Sequence, residues 1–160
     1  MDEIDRSIVT ELQRDARQTN RELAQRIGVA PSTCFERVRR LHDRGVIRGY
    51  HAEVDPEALG RTVQALVFAQ VRPLRRELID DFQREVSALP EVMSVYVLAG
   101  GDDFLLHVGV PRIDLLHAFL VDRLSRRREV TGFRTSVVFQ HHRNPAVAPL
   151  TAADFNGRNA

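Results

Sequence analysis

The sequence has one cysteine, no tryptophan, no lysine and no long uninterrupted apolar run. The single cysteine, Cys34, excludes an intrachain disulfide, which favours a reducing compartment. Without an apolar stretch of about 20 residues, no membrane-spanning helix is expected. The first residues, MDEIDRS, also lack the basic start and apolar core of a secretory signal. We therefore expect a cytoplasmic protein with no membrane partner.

Charge is almost balanced over the 160 residues, at +1, with 43% hydrophobic and 28% charged residues. These values are typical of a soluble globular chain that forms one ordinary domain or two very small ones. Residues 30–50, however, carry five arginines against two acidic residues. Guanidinium groups suit phosphates and guanine edges. A G+C-rich genome is the simpler explanation for the arginine bias, because many arginines lie far from this stretch.

Three short helices are predicted in the first fifty residues. Ile4, Ile8 and Leu12 recur at helical spacing, as one apolar stripe. A second helix follows a capping box in which Thr19 and Glu22 each satisfy the other's backbone N–H. Gly28 can take the left-handed conformation that ends this helix.

The third predicted helix begins between Pro31 and Cys34, with Thr33 to Glu36 as a second candidate capping box. Gly45 ends it, and residues 46–54 are interpreted as a short hairpin, a candidate wing. Because a very short turn joins the second and third helices, the pattern indicates a helix-turn-helix.

Beyond the first fifty residues the hydrophobic period changes to that of strands alternating with helices. The predicted elements are a strand at 62–72, a helix at 75–89, strands at 92–99 and 104–110, a helix capped by Asp114, and a strand at 133–140. This β-α-β-β-α-β order is that of a ferredoxin-like fold. The fold class is therefore α+β, a winged helix-turn-helix followed by a ferredoxin-like domain.

Four segments follow from these patterns: a helix-turn-helix domain at 1–50, a linker strand or hinge at 51–62, a ferredoxin-like domain at 63–140 and a tail at 141–160. The tail is small and polar, typical of a loose or partner-bound segment. Both faces of the first strand carry apolar groups, although the helices of such a fold cover only one face. The other face needs a partner, so a homodimer is expected.

The third helix carries polar residues opposite Cys34, Val38 and Leu41. We assign the early ones to base edges and the later ones mainly to the DNA backbone. The base-contacting residues are Ser32, Thr33 and Glu36, and the backbone-contacting residues are Arg39 and Arg40. A solvated basic helix face is the plain alternative, but the tight helix-turn-helix spacing favours DNA.

Three further arginines join the candidate DNA-binding residues. Arg21, beside the free N–H groups that start the second helix, suits a phosphate. Arg48, in the candidate wing, can reach the backbone or the minor groove. Arg37 lies toward the core side of its helix, where it can instead pair with helix one.

The Gly100-Gly101-Asp102-Asp103 loop has two interpretations. Glycine-rich links between strands are usually plain tight turns. Alternatively, two carboxylates beside flexible backbone N–H groups can meet the charged ends of an amino acid. No Cys/His/carboxylate set has metal-ligand spacing, so no metal site is expected. Cys34 is interpreted as a small buried residue rather than a reactive thiol.

Together these segments resemble the Lrp/AsnC ("feast/famine") transcription factors. The resemblance is carried by IDR to LQRDAR (residues 4–17), by ELA to Gly28, by PS to ERVRRL (31–41), and by GVIRGY (45–50). It runs from about residue 2 to 140, and it is specific only when these segments are taken together.

The resemblance implies dimers that assemble into tetramers or octamers, with amino acids bound between dimers. The family's effector loop corresponds to Ala99–Asp103, and Thr135 and Ser136 to positions that complete the pocket. Family members often have Gly-Asp-aromatic-Asp-aromatic in this loop. Here Asp103 and the following aromatic residue match that pattern, whereas Gly101 and Asp102 depart from it.

The sequence therefore predicts a regulator that binds double-stranded DNA as a homo-oligomer and responds to a small-molecule effector. No cofactor is expected beyond an amino-acid effector. One alternative is a regulator that wraps DNA without an effector. The other is an enzyme on a ferredoxin-like domain, which is disfavoured because the sequence shows no nucleophile–base pair, metal set or phosphate loop. No enzymatic activity is expected.

Overall fold

The computed structural model describes residues 1–150, and these form two compact units. One unit contains residues 1–52 together with 142–150, and the other contains residues 53–141. The last ten residues of the predicted tail lie outside the described residues.

The described part of the tail is attached to the helical unit. The Gln13 side-chain amide donates to the carbonyl of Val147 (3.1 Å), and the Val147 N–H donates back to the Gln13 oxygen (2.9 Å). The tail is therefore held by the first helix at Val147, where the sequence predicts a loose or partner-bound segment.

The helical unit contains α1 (Glu3–Arg14), α2 (Asn20–Ile27) and α3 (Pro31–Asp43), as predicted. Each helix has one apolar face, and these faces meet in a small core. The fully buried members of this core are Ile8, Leu23, Ala24, Cys34 and Leu41.

The turn between α2 and α3 is held by local hydrogen bonds. The capping box at the start of α2 is confirmed, since Glu22 N donates to Thr19 Oγ1 (3.2 Å) and Thr19 N donates to the Glu22 carboxylate (2.7 Å). Gly28 ends α2 at φ +72°, a left-handed conformation that glycine adopts without strain. The Asn20 side chain donates to the carbonyl of Pro31 (2.8 Å), which ties the first residues of the two helices together.

The second capping box predicted at Thr33 and Glu36 is wrong. Helix α3 begins at Pro31, with Ala30 as N-cap and no side-chain cap. Proline has no N–H to satisfy and its fixed φ suits the first helical position. Thr33 therefore lies inside the first turn and not ahead of it.

The hairpin predicted over 46–54 is also not formed, and residues 51–62 contain no strand. Instead, the N–H groups of Val46 and Ile47 both donate to the carbonyl of Leu41, and Ile47 packs on the helical core. Tyr50 contacts His42 through its hydroxyl (3.1 Å). An isolated two-stranded hairpin is marginal in water, and here the chain is stabilised by folding back on the end of α3.

The second unit confirms the predicted β-α-β-β-α-β order. Its elements are β1 (Val63–Val71), α4 (Arg76–Ser87), β2 (Val92–Val97), β3 (Phe104–Val110), α5 (Ile113–Ala118) and β4 (Val130–Val138). The strands lie in the order β2-β3-β1-β4, and every neighbouring pair is antiparallel. This is the ferredoxin-like arrangement.

The helix predicted after Asp114 differs from the prediction in two ways. Its N-cap is Arg112, two residues before the predicted Asp114, and the Asp114 carboxylate instead pairs with the Arg112 guanidinium (3.0 Å to Nε). It also changes after Ala118 into a π-helix, Phe119–Leu124.

The core of the sheet unit lies on one face of the sheet. Alternate β1 residues, from Ala65 to Val71, are fully buried there. They pack with three aromatic rings, Phe82, Phe104 and Phe119, of which the first two have centroids 4.6 Å apart. The intervening β1 residues, from Gln64 to Gln70, are only half-buried and form part of the open face.

An ion-pair network joins α1 to α3. Arg37 on α3 donates to the carboxylates of Asp2 (2.5 Å) and Asp5 (2.8 Å). Asp2 also caps α1 by accepting from Asp5 N (2.9 Å). This backbone hydrogen bond and then the Arg37 contact hold the pKa of Asp2 below its ordinary value.

We expect Arg37→Gln to lower the Tm of the protein at neutral pH, because Asp5 is then left largely buried without its cation. Since the pKa of Asp2 is lowered, the network is intact above the ordinary value of 3.8. The Tm difference from wild type should therefore shrink only as the pH falls below that value. Thermal unfolding followed by circular dichroism across this range measures both effects.

Arg39→Gln is the matched control, because within residues 1–150 Arg39 pairs only with Glu36, on its own helix. An Arg37→Gln protein that melts with the wild type at pH 7 would contradict the role given to the network.

Candidate functional site

The outward face of α3 lies where the sequence predicts it. Cys34 and Leu41 are buried at 0% and 1% exposure, whereas Ser32 and Thr33, in the first helical turn, are exposed. Their hydroxyls are therefore available to an external partner, at the end of a helix that reaches base edges in helix-turn-helix proteins.

Glu36 and Arg39 lie one turn further along this face and pair with each other. The Arg39 guanidinium donates to the Glu36 carboxylate at 2.9 Å, and both side chains remain about half-exposed. Arg40 is exposed beside them. A solvent-exposed ion pair of this kind is weak. Each side chain can therefore leave the other and bind a base or a phosphate instead.

Phe35 is a surface residue that the sequence analysis missed. Its side chain is 57% exposed on α3, although it is the largest apolar residue of this helix. A helical wheel places position 35 about 100° from buried Cys34, so the signal was present in the spacing. An exposed aromatic ring beside the residues predicted to contact bases has the chemistry to contact thymine methyl groups.

The other predicted DNA-binding arginines have different surroundings. Arg37 is held by Asp2 and Asp5 of α1, the alternative the sequence left open for it. Arg21 and Arg48 are exposed. At the start of α2, the Glu22 carboxylate accepts two hydrogen bonds from Thr19, and these lower the pKa of Glu22. An anion bound by Arg21 would therefore lie at the same end of α2 as the negatively charged Glu22 carboxylate.

Cys34 is the small buried residue that the sequence predicts. It is fully buried in the helical core, and burial raises the pKa of its thiol. The neutral thiol is a poor nucleophile, so this residue serves packing.

The glycine-rich loop closes β2 onto β3 as a tight turn. Leu98 N donates to the carbonyl of Asp103 (2.8 Å), and Gly100 takes φ +147°. Asp103 is only 8% exposed, and its carboxylate accepts from Val71 N (2.8 Å) and from Arg72 (2.7 Å). One of the two predicted effector carboxylates therefore already has internal partners.

Asp102 is the more available carboxylate. It accepts from Arg134 Nη2 at 2.8 Å, and the Arg134 guanidinium lies 3.6 Å from the centroid of the Phe68 ring. The Gln70 side chain donates to the carbonyl of Gly101 (2.9 Å) and steadies the loop. An ion pair stacked on an aromatic ring thus borders the loop on the open face of the sheet.

The remaining predicted effector residues are divided between the two faces of the sheet. Thr135 is paired with Val67 and shares its helix-covered face, whereas Ser136 is paired with Leu66 on the open face. The Thr135 hydroxyl is shielded from solvent and has no hydrogen-bond partner among the described residues. Ser136 is exposed. Ala99 and Gly100 are exposed at the tip of the loop.

Residues 1–150 contain no group of three or more metal-ligating side chains that could hold an ion. Within the same residues, no helix combines the length and apolar character that crossing a membrane requires.

Comparison with known proteins covers both units. A family model for winged helix-turn-helix DNA-binding domains matches residues 1–48, and one for the Lrp/AsnC ligand-binding domain matches residues 64–146. The HTH-type transcriptional regulator AldR of Mycolicibacterium smegmatis is 44% identical over 143 residues, which is 89% of this chain and 84% of that protein. The leucine-responsive regulatory protein of Escherichia coli is 37% identical over 88% of this chain and 85% of its own length.

Solved structures agree with these matches. A Neisseria meningitidis transcriptional regulator, crystallised as its complex with L-Met, has a TM-score of 0.84 at 29% identity, over 96% of this chain and 98% of that one. The AldR structure from Mycobacterium tuberculosis has a TM-score of 0.70 at 39% identity, over 93% and 100%. From the outward face of α3, the sheet topology and these matches, the chain belongs to the Lrp/AsnC family of DNA-binding transcriptional regulators, in which a helix-turn-helix domain is joined to a ligand-binding domain.

Proposed function

We propose that this regulator binds DNA as a homodimer, with α3 of each subunit in a major groove. The observation that carries the proposal is the exposure of Ser32 and Thr33 on a helix whose opposite side, at Cys34 and Leu41, is fully buried. Two-fold pairing then predicts a roughly palindromic site, with half-sites about 34–36 Å apart or a multiple of that distance.

The open face of the sheet supports the homodimer. Within its own unit this face leaves Leu66, Phe68 and Leu105 half-buried and Tyr96 53% exposed. His107 lies on the same face, where burial and then nearby His141 lower its pKa. A neutral, largely apolar face suits a second copy of the same sheet. We also propose that these dimers assemble into tetramers or octamers.

The effector we propose is a free amino acid bound at the loop of residues 99–103. The L-Met complex of the Neisseria relative supports this class of ligand. When Asp102 releases Arg134, its carboxylate can accept from the ammonium group of the amino acid. The exposed N–H groups of the loop can donate to the carboxylate of the amino acid. By linkage, effector and DNA then change each other's affinity by the same factor.

The proposal includes no catalytic step, in keeping with relatives named as regulators. It places the protein in the cytoplasm, where a lone buried thiol and a DNA partner are both expected.

For the DNA interface, we expect Glu36→Gln to change the preferred base at one position of a site obtained by in vitro selection. The loss of discrimination should be about 1–3 kcal/mol, because only the carboxylate accepts from a cytosine amine as a charged group. We expect Arg40→Ala to weaken all sequences alike and to reduce the slope of log K against log salt by about one, because it removes a phosphate contact. Fluorescence anisotropy over a salt series measures both.

Arg84→Ala, on α4 in the other unit, is the control for removal of an arginine. The assignment of α3 fails if neither Glu36→Gln nor Arg40→Ala changes DNA binding.

For the effector, we expect at least one common free amino acid to raise the Tm of the wild type, and Asp102→Ala to abolish this shift. The ligand-free Tm of Asp102→Ala should fall less than that of Asp103→Ala, because Asp102 accepts from the 60%-exposed Arg134 side chain and from no backbone N–H among the described residues. Asp103→Ala should instead lower the ligand-free Tm, since it leaves Val71 N without its acceptor, at a cost of about 1–3 kcal/mol.

A thermal-shift panel with the three proteins separates ligand contact from loop stability. If no amino acid shifts the wild-type Tm or its DNA affinity, the result favours a regulator that organises DNA without an effector.

A further inference from the structure

Within Pro31–Asp43, Phe35 is the only large hydrophobic residue that is exposed. It is also the only phenylalanine in residues 1–52. The core of this unit is small, and an aromatic ring would bury more apolar surface there than any residue it contains. The ring nevertheless points outward at 57% exposure, because Cys34 and Leu41 occupy the buried side of the helix. Packing within the unit therefore does not explain an aromatic ring at this position.

The position of Phe35 on the helix is close to that of the residues we assign to DNA. Around the axis of α3, Phe35 lies about 60° from Ser32 and about 40° from Arg39. Both of these neighbours are exposed. Along the axis, Phe35 is about 4.5 Å from Ser32, which is little more than one base step of about 3.4 Å. A helix that brings Ser32 to a base edge therefore brings the Phe35 ring into the same groove.

The chemistry of the ring limits what it can contact there. The phenyl group of Phe35 has no hydrogen-bond donor or acceptor. Packed against a polar base edge, it would remove water from that edge without supplying a partner, which is costly. The major groove offers one apolar group, the C5 methyl of thymine. Contact with this methyl removes apolar surface of both partners from water, so thymine is the base that the ring favours.

We propose that Phe35 selects thymine in each half-site by packing against its C5 methyl group. This inference rests on the proposed placement of α3 in the major groove, and it adds recognition of an apolar group to the hydrogen bonds of that interface. Burial of one methyl group should strengthen binding about fourfold. Two-fold pairing of subunits makes the expected gain about fifteenfold for a site in which both half-sites carry the thymine.

Uracil is the probe that isolates the methyl group. Deoxyuridine pairs with adenine as thymidine does and presents the same acceptor in the major groove, but it has no C5 methyl. The DNA is a site selected in vitro with the wild-type protein, and its thymines are replaced at one symmetric pair of positions at a time. We expect one such replacement to weaken wild-type binding about fifteenfold. It should lie within about two base pairs of the position whose preference Glu36→Gln changes, because residues 35 and 36 adjoin.

Two substitutions of Phe35 connect this loss to the ring. Phe35→Ala should bind the thymine and uracil sites with equal affinity, since no side chain is left to contact the methyl group. Phe35→Leu should still prefer thymine, because its side chain remains apolar and long enough to reach the groove. Alanine favours the helix and the ring is largely exposed, so Phe35→Ala should keep the circular dichroism spectrum of the wild type. Fluorescence anisotropy with each DNA measures the affinities.

Two matched variants serve as controls. Leu74→Ala removes an equally exposed apolar side chain, at 59%, from the sheet unit, and it should keep the preference for thymine. Arg40→Ala should weaken both sites and leave the ratio of their affinities unchanged, because a phosphate contact does not depend on the base. Without DNA, Phe35→Ala should sediment as the wild type does, since the ring faces DNA and not a second subunit.

The proposal is overturned if no uracil replacement weakens wild-type binding, if Phe35→Ala still distinguishes thymine from uracil, or if Phe35→Ala alters the sedimentation of the free protein. Arg40→Ala separates these results from a failure of the proposed function. If Arg40→Ala still weakens binding, α3 remains the DNA-binding helix and only the role of Phe35 is rejected. If neither Arg40→Ala nor Glu36→Gln affects binding, both proposals fail together.

Discussion

Burial of one side of α3 is the constraint on which the DNA-binding unit depends. Three short helices supply very little apolar surface, so each must turn its few apolar residues inward. When Cys34 and Leu41 enter that core, helical geometry turns Ser32, Thr33 and Arg40 outward. The surface that we propose for DNA reading is thus a consequence of packing. The Asn20–Pro31 hydrogen bond and the Arg37 network then hold α3 against its two neighbours.

In the sheet unit, the side chains of a strand alternate between the two faces of the sheet, so every second residue enters the core. Alternate β1 residues fill the core beneath the helices, and the residues between them form the open face. The same alternation separates Thr135 from Ser136, although the two are adjacent in the chain. A pocket on one face of the sheet can therefore use one of these side chains directly, and the open face is the one that Asp102, Arg134 and Phe68 border.

The two carboxylates of the loop show how neighbours in sequence acquire different roles. Asp103 accepts from Val71 N and closes the end of β1, so its first role is structural. Asp102 turns to Arg134 and remains exchangeable. Both residues are aspartates in the same loop, so the sequence does not distinguish their roles. The register of β1 against β3 and β4 places Val71 N beside Asp103 and Arg134 beside Asp102.

Periodicity and capping chemistry alone determined the three N-terminal helices, the outward set on α3, the β-α-β-β-α-β order and the tight turn at Gly100, because these follow from contacts within a few residues. Tertiary structure decided the rest. Residues 46–54 fold back on the end of α3, where Ile47 packs on the helical core, because no partner strand stabilises a hairpin. The change to a π-helix after Ala118 was not predicted, because Leu116, Leu120 and Leu124 keep ordinary helical spacing across it and pack in the same core.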